Sequence, residues 1–308
     1  MSVSLAFLLA AQQIVVPFGN PPQVERLPAP LKENGPLWAS VCAGSDDWNK
    51  PAPPVRVGGH TYLVGTCGIS SVLITGDEGA ILVDSGTEQS ADAVASNIKS
   101  LGFKLTDIRI ILVSHEHFDH VGGVARLQQL SGASLYVSPA AKTVINTGKA
   151  AADDPQAKIL KPFPPARVDR TILDGQQVRL GNIMVTAIAT PGHTAGAMSY
   201  RWVSCDGGVC PNFVYADSLS PVSSDDYRFT DHPALVATFR ASIAKVSAQP
   251  CDLLLTPHPG ASNMADRLAG KAPMRDENAC KAFAAAKTKG LDERLAKEAS
   301  PARVEPAK

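Results

Sequence analysis

"SHEHFDHVGG", residues Ser114–Gly123, sets three histidines, an aspartate and a glutamate within the six positions His115–His120. The whole chain has seven histidines, so nearly half stand in this one place. The run before it, "DIRIILVS", is apolar, β-branched and short, which reads as a buried strand rather than a helix. The run that its glycine pair opens, "GGVARLQQLSG", reads as a helix. Strand, tight loop and helix in that order put the cluster at a strand's carboxyl end, where α/β folds gather their ligands. The H-E-x-x-H helix of zinc proteases does not fit, because Asp119 stands where its second histidine belongs and a strand leads in. His115 and His117, two apart at a strand end, project to one side and can reach one ion. Asp119 and His120, past the bend, can serve a second ion nearby.

Two ions need more ligands than one loop holds. His193 in "ATPGHTAG" and His258 in "LLLTPHPG" each end an apolar strand beside a proline-containing turn, matching the first cluster's setting. His60 and His232 sit among strand residues and at a helix start, and read as structural or surface groups. Imidazole nitrogens with one carboxylate suit zinc, with iron or manganese as alternatives.

Outward from the cluster, "TYLVGT", "SSVLIT" and "AILVDSG" read as hairpin strands. "EQSADAVASNIKSLG" (Glu88–Gly102) spaces Ala91, Val94, Ile98 and Leu101 as a helix does. "SLYVS" is a strand and "PAAKTVINTGK" a helix. "RTILDGQQVRL", "NIMVTAIAT", "AMSYRWVS" and "NFVYADSL" are strands. An amphipathic helix from His232 follows, with Asp231 as its expected cap, then the strand "DLLLTPH" and a final alanine-rich helix, "ENACKAFAAAKTKGLDERLAKEA". The proline-rich lead "FGNPPQVERLPAPLKENGPLW" is expected to be extended or loop. Mixed strands and helices with no dividing linker predict one α/β domain over 21–308, two sheets covered by outer helices.

The chain's 29 basic and 29 acidic residues balance, which gives no footprint for nucleic acid. "LAFLLAA" (Leu5–Ala11) is too short to span a bilayer and suits the apolar core of a secretory signal over residues 1–20, although no Lys or Arg precedes it. Six cysteines, Cys42, Cys67, Cys205, Cys210, Cys251 and Cys280, form no C-x-x-C pair. They allow fifteen pairings, with Cys205 and Cys210 placed to close a local bridge around "DGGV". Export and an even cysteine count together predict a disulfide-bearing periplasmic or secreted protein without a membrane anchor.

"SHEHFDH" resembles the H-x-H-x-D-H signature of the metallo-β-lactamase superfamily. "GTCGISSVLI", "ADDPQ", "ATPGHTAG", "YADSLS" and "PCDLLLTPHPGASN" extend the likeness to class B metallo-β-lactamases of subclass three, from about Trp38 to the final helix. The resemblance implies a four-layer αββα sandwich with two Zn2+ per chain. His115, His117 and His193 resemble the ligands of the first zinc, and Asp119, His120 and His258 those of the second. Ser218 stands where other subclasses place a metal-binding cysteine. Ser218 and Ser220 would hold a substrate carboxylate, and Gln156 would help orient the substrate. The cysteines would pair as Cys42–Cys67, Cys205–Cys210 and Cys251–Cys280. The implied reaction is hydrolysis of the β-lactam amide of penicillins, cephalosporins and carbapenems by a metal-bound hydroxide, with Asp119 orienting the nucleophile and moving its proton, conferring antibiotic resistance. The partner is a small-molecule β-lactam and the expected state a monomer. Asp217 raises an alternative, since glyoxalase-type and lactonase-type relatives bridge both metals with an aspartate. A lactonase or another dinuclear metallohydrolase of the same fold is that alternative.

Overall fold

A computed structural model describes residues 34–300. The predicted signal segment lies outside the described residues. Among those described, two sheets form. The first is seven-stranded, in the order β1 (Val55–Gly58), β2 (Thr61–Leu63), β3 (Val72–Gly76), β4 (Gly79–Val83), β5 (Ile108–Leu112), β6 (Ser134–Val137) and β7 (Val168–Thr171). The second is five-stranded and comprises β8 (Gln177–Leu180), β9 (Ile183–Ala189), β10 (Met198–Val203), β11 (Asn212–Tyr215) and β12 (Leu253–Leu255), with β12 at one edge and β8 at the other. The helices are α1 (Asn34–Val41), α2 (Ala91–Ser100), α3 (Phe118–Val121), α4 (Val124–Ser131), α5 (Ala141–Thr147), α6 (Pro233–Ser247), α7 (Met264–Leu268) and α8 (Ala279–Ala299).

The period-two alternation of the strands decides the layering. In the first sheet Ile81, Val83, Ile110 and Leu112 pack inward against Val185, Tyr200, Phe213 and Leu255 of the second. Their neighbours Ala80, Leu82 and Ile111 face the other way, onto Val94 and Ile98 of α2 and Leu127 of α4. The second sheet does the same: Val214 and Leu254 turn outward onto Phe239 and Ile243 of α6 and Phe283 of α8. Three apolar layers between four layers of structure make the expected αββα sandwich.

Three local expectations need correction. "RTILDGQQVRL" is not one strand: its first part ends β7 and its last part is β8 in the other sheet, with the Asp174–Gly175 turn carrying the chain across. The end of the proline-rich lead is helical, because α1 tolerates Pro36 in its first turn and buries Trp38 against α7. Asp231 does not cap α6; it lies in a short 3-10 turn, and His232 takes the cap position without a side-chain bond. Disulfides join Cys42 to Cys67, Cys205 to Cys210 and Cys251 to Cys280.

Candidate metal centre

Strand direction brings the site together. β4 and β5 run parallel, so Asp84 and the His115–His120 loop leave the first sheet at the same edge. In the second sheet β9 and β11 are both antiparallel to β10, and β12 is parallel to β11. The chain therefore leaves β9 toward His193, β11 toward Asp217 and β12 toward His258 at one common edge. His117 caps α3, whose single turn carries Asp119 and His120.

Ligand atoms of His115, His117 and His193 lie within 4.8 Å of one another, as do those of His115, Asp119 and His120. All five residues are buried. His258 stands beside the second group, half-buried, its ring 5.1 Å from that of His120 and its Nε2 3.5 Å from Asp119 Oδ2. The loops thus bring all six sequence-predicted ligands together. His60 and His232 stay outside, both exposed, with His232 stacked on Tyr227.

Each outer nitrogen has a task. His115 Nδ1 lies 2.8 Å from Asp217 Oδ1, His117 Nε2 3.0 Å from Asp154 Oδ2, and His193 Nδ1 2.7 Å from the Ser220 carbonyl. His258 Nδ1 donates to the Gly68 carbonyl at 3.2 Å. An N–H held on one nitrogen fixes the tautomer and leaves the lone pair on the other, as metal-binding histidines require. Asp84 supports the same loop, accepting from Ser114 N at 2.7 Å, Ser114 Oγ at 2.6 Å and Tyr215 Oη at 2.7 Å. Its φ of 61° is a strained conformation for an aspartate, one that these bonds hold in place. Glu116, buried between the histidines, points away from them. It accepts from Thr194 Oγ1 at 2.7 Å and Gly196 N at 2.9 Å, tying the first loop to the one that carries His193.

Burial holds the His115 and His193 imidazoles well below the ordinary histidine pKa, helped by neighbouring histidines. Burial and His120 lower His258 to about 4, against Asp119. Burial also opposes a charge on His120, but Asp119 and Asp84 outweigh it and push His120 up to about 10. For Asp119, burial works upward, yet His120 and His258 prevail and hold the carboxyl well below its usual range. Burial raises Asp217 to about 8.

The donor set fits divalent cations. His115 Nε2 and both ring nitrogens of His120 are buried without a hydrogen-bond partner. His120 Nε2 and Asp119 Oδ2 are 3.0 Å apart but out of hydrogen-bonding alignment. Two ligands of one tetrahedral zinc stand roughly 3.3 Å apart, so this is the spacing of atoms that converge on a common ion. Nitrogen-rich donors with one carboxylate suit zinc.

Asp217 reaches the site from behind, through the outer nitrogen of His115. Ser218 is buried with its hydroxyl unpartnered, and Ser220 faces a neighbouring cavity. Gln156 is buried with its amide nitrogen unpartnered; in its loop it is Asp154 that bonds a ligand histidine. Asp84, Glu116, Asp154 and the Gly68 and Ser220 carbonyls escaped the reading of the sequence. Asp84 had a local signal, as a carboxylate closing the apolar strand "AILVD", and Glu116 stood within the histidine cluster itself.

Residues 64–258 match the family model described as the metallo-beta-lactamase superfamily. The fold is similar to the solved structure of MIM-2 metallo-beta-lactamase, with TM-score 0.83 and 52% identity over 86% of this chain and 98% of that one. It is also similar to MEM-A1, a subclass B3 metallo-beta-lactamase isolated from a soil metagenome library, with TM-score 0.80 and 41% identity over 82% of this chain and 99% of that one. Among curated proteins it is 32% identical over 120 residues to a hydroxyacylglutathione hydrolase from Bradyrhizobium sp. (strain ORS 278), which is 37% of this chain. The chain spans 38% of the length of that relative.

Proposed function

Because the chain belongs to the metallo-beta-lactamase superfamily, we propose that it is a zinc-dependent β-lactamase of subclass B3. The observation that carries this reading is the placement of Asp217. In glyoxalase-type and lactonase-type relatives an aspartate bridges both metals. Here Asp217 Oδ1 is engaged by His115 Nδ1, on the side of the ring away from the lone pair, and the next residue is a serine. The likeness to MIM-2 and to the B3 enzyme MEM-A1 covers 82–86% of this chain and 98–99% of theirs, whereas the hydroxyacylglutathione hydrolase shares only a segment.

His115, His117 and His193 would hold one zinc, and Asp119, His120 and His258 a second. When bound, the ions supply Lewis acidity toward a carbonyl oxygen and bring the ionisation of water near neutral pH. The residues do the rest. Asp217, Asp154 and the Ser220 and Gly68 carbonyls keep the imidazoles oriented. Asp119 orients the attacking water and accepts its proton, which then passes to the ring nitrogen as the amide C–N bond breaks. Ser218 and Ser220 would take the substrate carboxylate, and Gln156 would border the substrate. No covalent attachment to the chain is needed. The disulfides support a periplasmic or secreted location, and no helix among the described residues is long and apolar enough to cross a membrane.

The test sets a carbapenem, an acyl-homoserine lactone and a hydroxyacylglutathione thioester side by side, with and without chelator. Carbapenem hydrolysis that far exceeds the other two, and that chelator abolishes, is expected. Preference for the lactone or the thioester overturns the reading. His117→Ala should remove most turnover and lower zinc content by about one ion per chain, read by elemental analysis.

A further inference from the structure

Glu116 stands between two candidate ligands of one ion, yet its carboxylate is turned from that ion onto the turn that supplies the third. One oxygen accepts from Thr194 Oγ1 at 2.7 Å and the other from Gly196 N at 2.9 Å, so it grips the chain just beyond His193. Glu116 and Thr194 are both buried, so water offers neither group a ready substitute.

Other bonds close the stem of the His193 turn. Thr190 N donates to the Ala197 carbonyl at 2.9 Å, and Met198 N to the Ser114 carbonyl at 2.6 Å. Toward the tip, the Ser220 carbonyl fixes the direction of the His193 ring. Glu116 spans the gap between that ring and its two co-ligands. The His193 centroid lies 4.7 Å from that of His115 and 4.9 Å from that of His117. The second group hangs from different partners. Ser85 Oγ donates to the His120 carbonyl at 2.8 Å, and the Gly68 carbonyl accepts from His258 Nδ1 at 3.2 Å.

We infer that Glu116 is the positioning residue of the first metal site: it sets the gap between the His115–His117 pair and His193, and so the affinity and geometry of that site but not of the second. The inference rests on the ligand sets proposed above and not on the choice of substrate. Reach, rather than charge, is the operative property. Glu116→Gln keeps the reach, because an amide oxygen can accept from Gly196 N while the amide nitrogen donates to Thr194 Oγ1. Glu116→Asp keeps the charge but is shorter by a methylene, so it cannot hold both bonds.

The test titrates metal into the full chain in two backgrounds, each lacking a ligand of one site. His258→Ala leaves the first set complete, and His117→Ala the second. In the His258→Ala background, Glu116→Ala should weaken zinc binding about 10- to 100-fold, read by competition with a chromophoric chelator. It should also alter the visible absorption of bound cobalt, which reports coordination geometry. Glu116→Gln should recover both affinity and spectrum, and Glu116→Asp should not. Thr194→Val, which removes one of the two bonds, should give a smaller loss. In the His117→Ala background the same variants should leave second-site affinity unchanged. Equal losses in both backgrounds mark general damage to the fold and overturn the inference. Recovery by Glu116→Asp but not by Glu116→Gln also overturns it, since charge is then what acts. If Glu116→Ala does not fold, Glu116→Gln and Glu116→Asp carry the same decision. If neither background binds zinc with Glu116 in place, the ligand sets fail and the inference falls with them.

Discussion

A buried imidazole that donates from one nitrogen must satisfy its other lone pair or bear the penalty of leaving it bare. In this protein His115, His117 and His193 are in that position and His258 is half-buried, each oriented by a partner remote in sequence. Asp154 stands 37 residues from His117, and the Gly68 carbonyl 190 from His258. That separation explains what the sequence concealed. The ligands were legible because one loop concentrates them, whereas their supports are single residues drawn from unrelated loops. Removing a support should loosen the metal without removing a ligand. Asp154→Asn is expected to weaken zinc affinity about 10- to 100-fold, read by competition with a chromophoric chelator; unchanged affinity would show that the contact is idle. The charges of the metal-free site also predict a pH profile. His258 is depressed to about 4, so its contribution to stability is present above the unfolded value of about 6.5 and is lost as pH falls toward 4. His120 is raised to about 10, so its contribution is complete below about 6.5 and is lost as pH rises toward 10. Metal-free protein should therefore melt highest near neutral pH and lower on both sides. Zinc should remove the alkaline limb, because an ion then replaces the proton on His120. Circular-dichroism melts across pH, with and without zinc, test this, and a limb that zinc leaves intact would contradict it.

At the scale of the element, catalytic placement depends on where strands stop. The turn after β9 shows how tightly. Gly192, at φ 151°, precedes His193, and a Cβ there would lie 2.8 Å from the Phe239 ring on α6. Gly196 closes the turn, and a Cβ on it would come within 2.6 Å of Glu116 Oε2 and 2.7 Å of Ala141 Cβ. The two glycines let the His193 turn lie flat between α6 and the Glu116 loop. Gly192→Ala should cost about 1–3 kcal/mol of stability from backbone strain and displace His193, lowering zinc affinity as well. Thermal melts and zinc titration of one preparation separate the effects, and a normal melt with normal affinity would refute the packing argument. Element type was legible wherever an apolar run had a clear period, as in β5 and α2. It failed at β7 and β8, where alternation continues through a turn that changes sheets. It failed also at α1, whose helicity comes from Trp38 docking on α7 rather than from its own pattern.

For the molecule as a whole, the fourth layer is the one least anchored by the first sheet. α8 packs on α6 and on the outer face of the second sheet. Its N-terminal turn is covalently held by Cys280, bonded to Cys251 just before β12. Because β12 leads to His258 and α8 forms a wall of the adjoining cavity, this disulfide ties the candidate metal centre to that wall. A bridge separated by 29 residues should stabilise the fold by about 3–4 kcal/mol on the chain-entropy account. Replacing both cysteines by alanine should remove about that much, measured by denaturant unfolding at constant zinc. The functional consequence ought to be uneven. The first-group histidines come from β5 and β9, far from the bridge in the chain, and should keep their zinc. Second-site zinc and the KM for carboxylate-bearing substrates should both suffer, since each depends on β12 and α8 keeping their distance. If the double variant loses stability but keeps both properties, noncovalent packing of α8 suffices to hold the cavity wall in place, and the bridge serves stability alone.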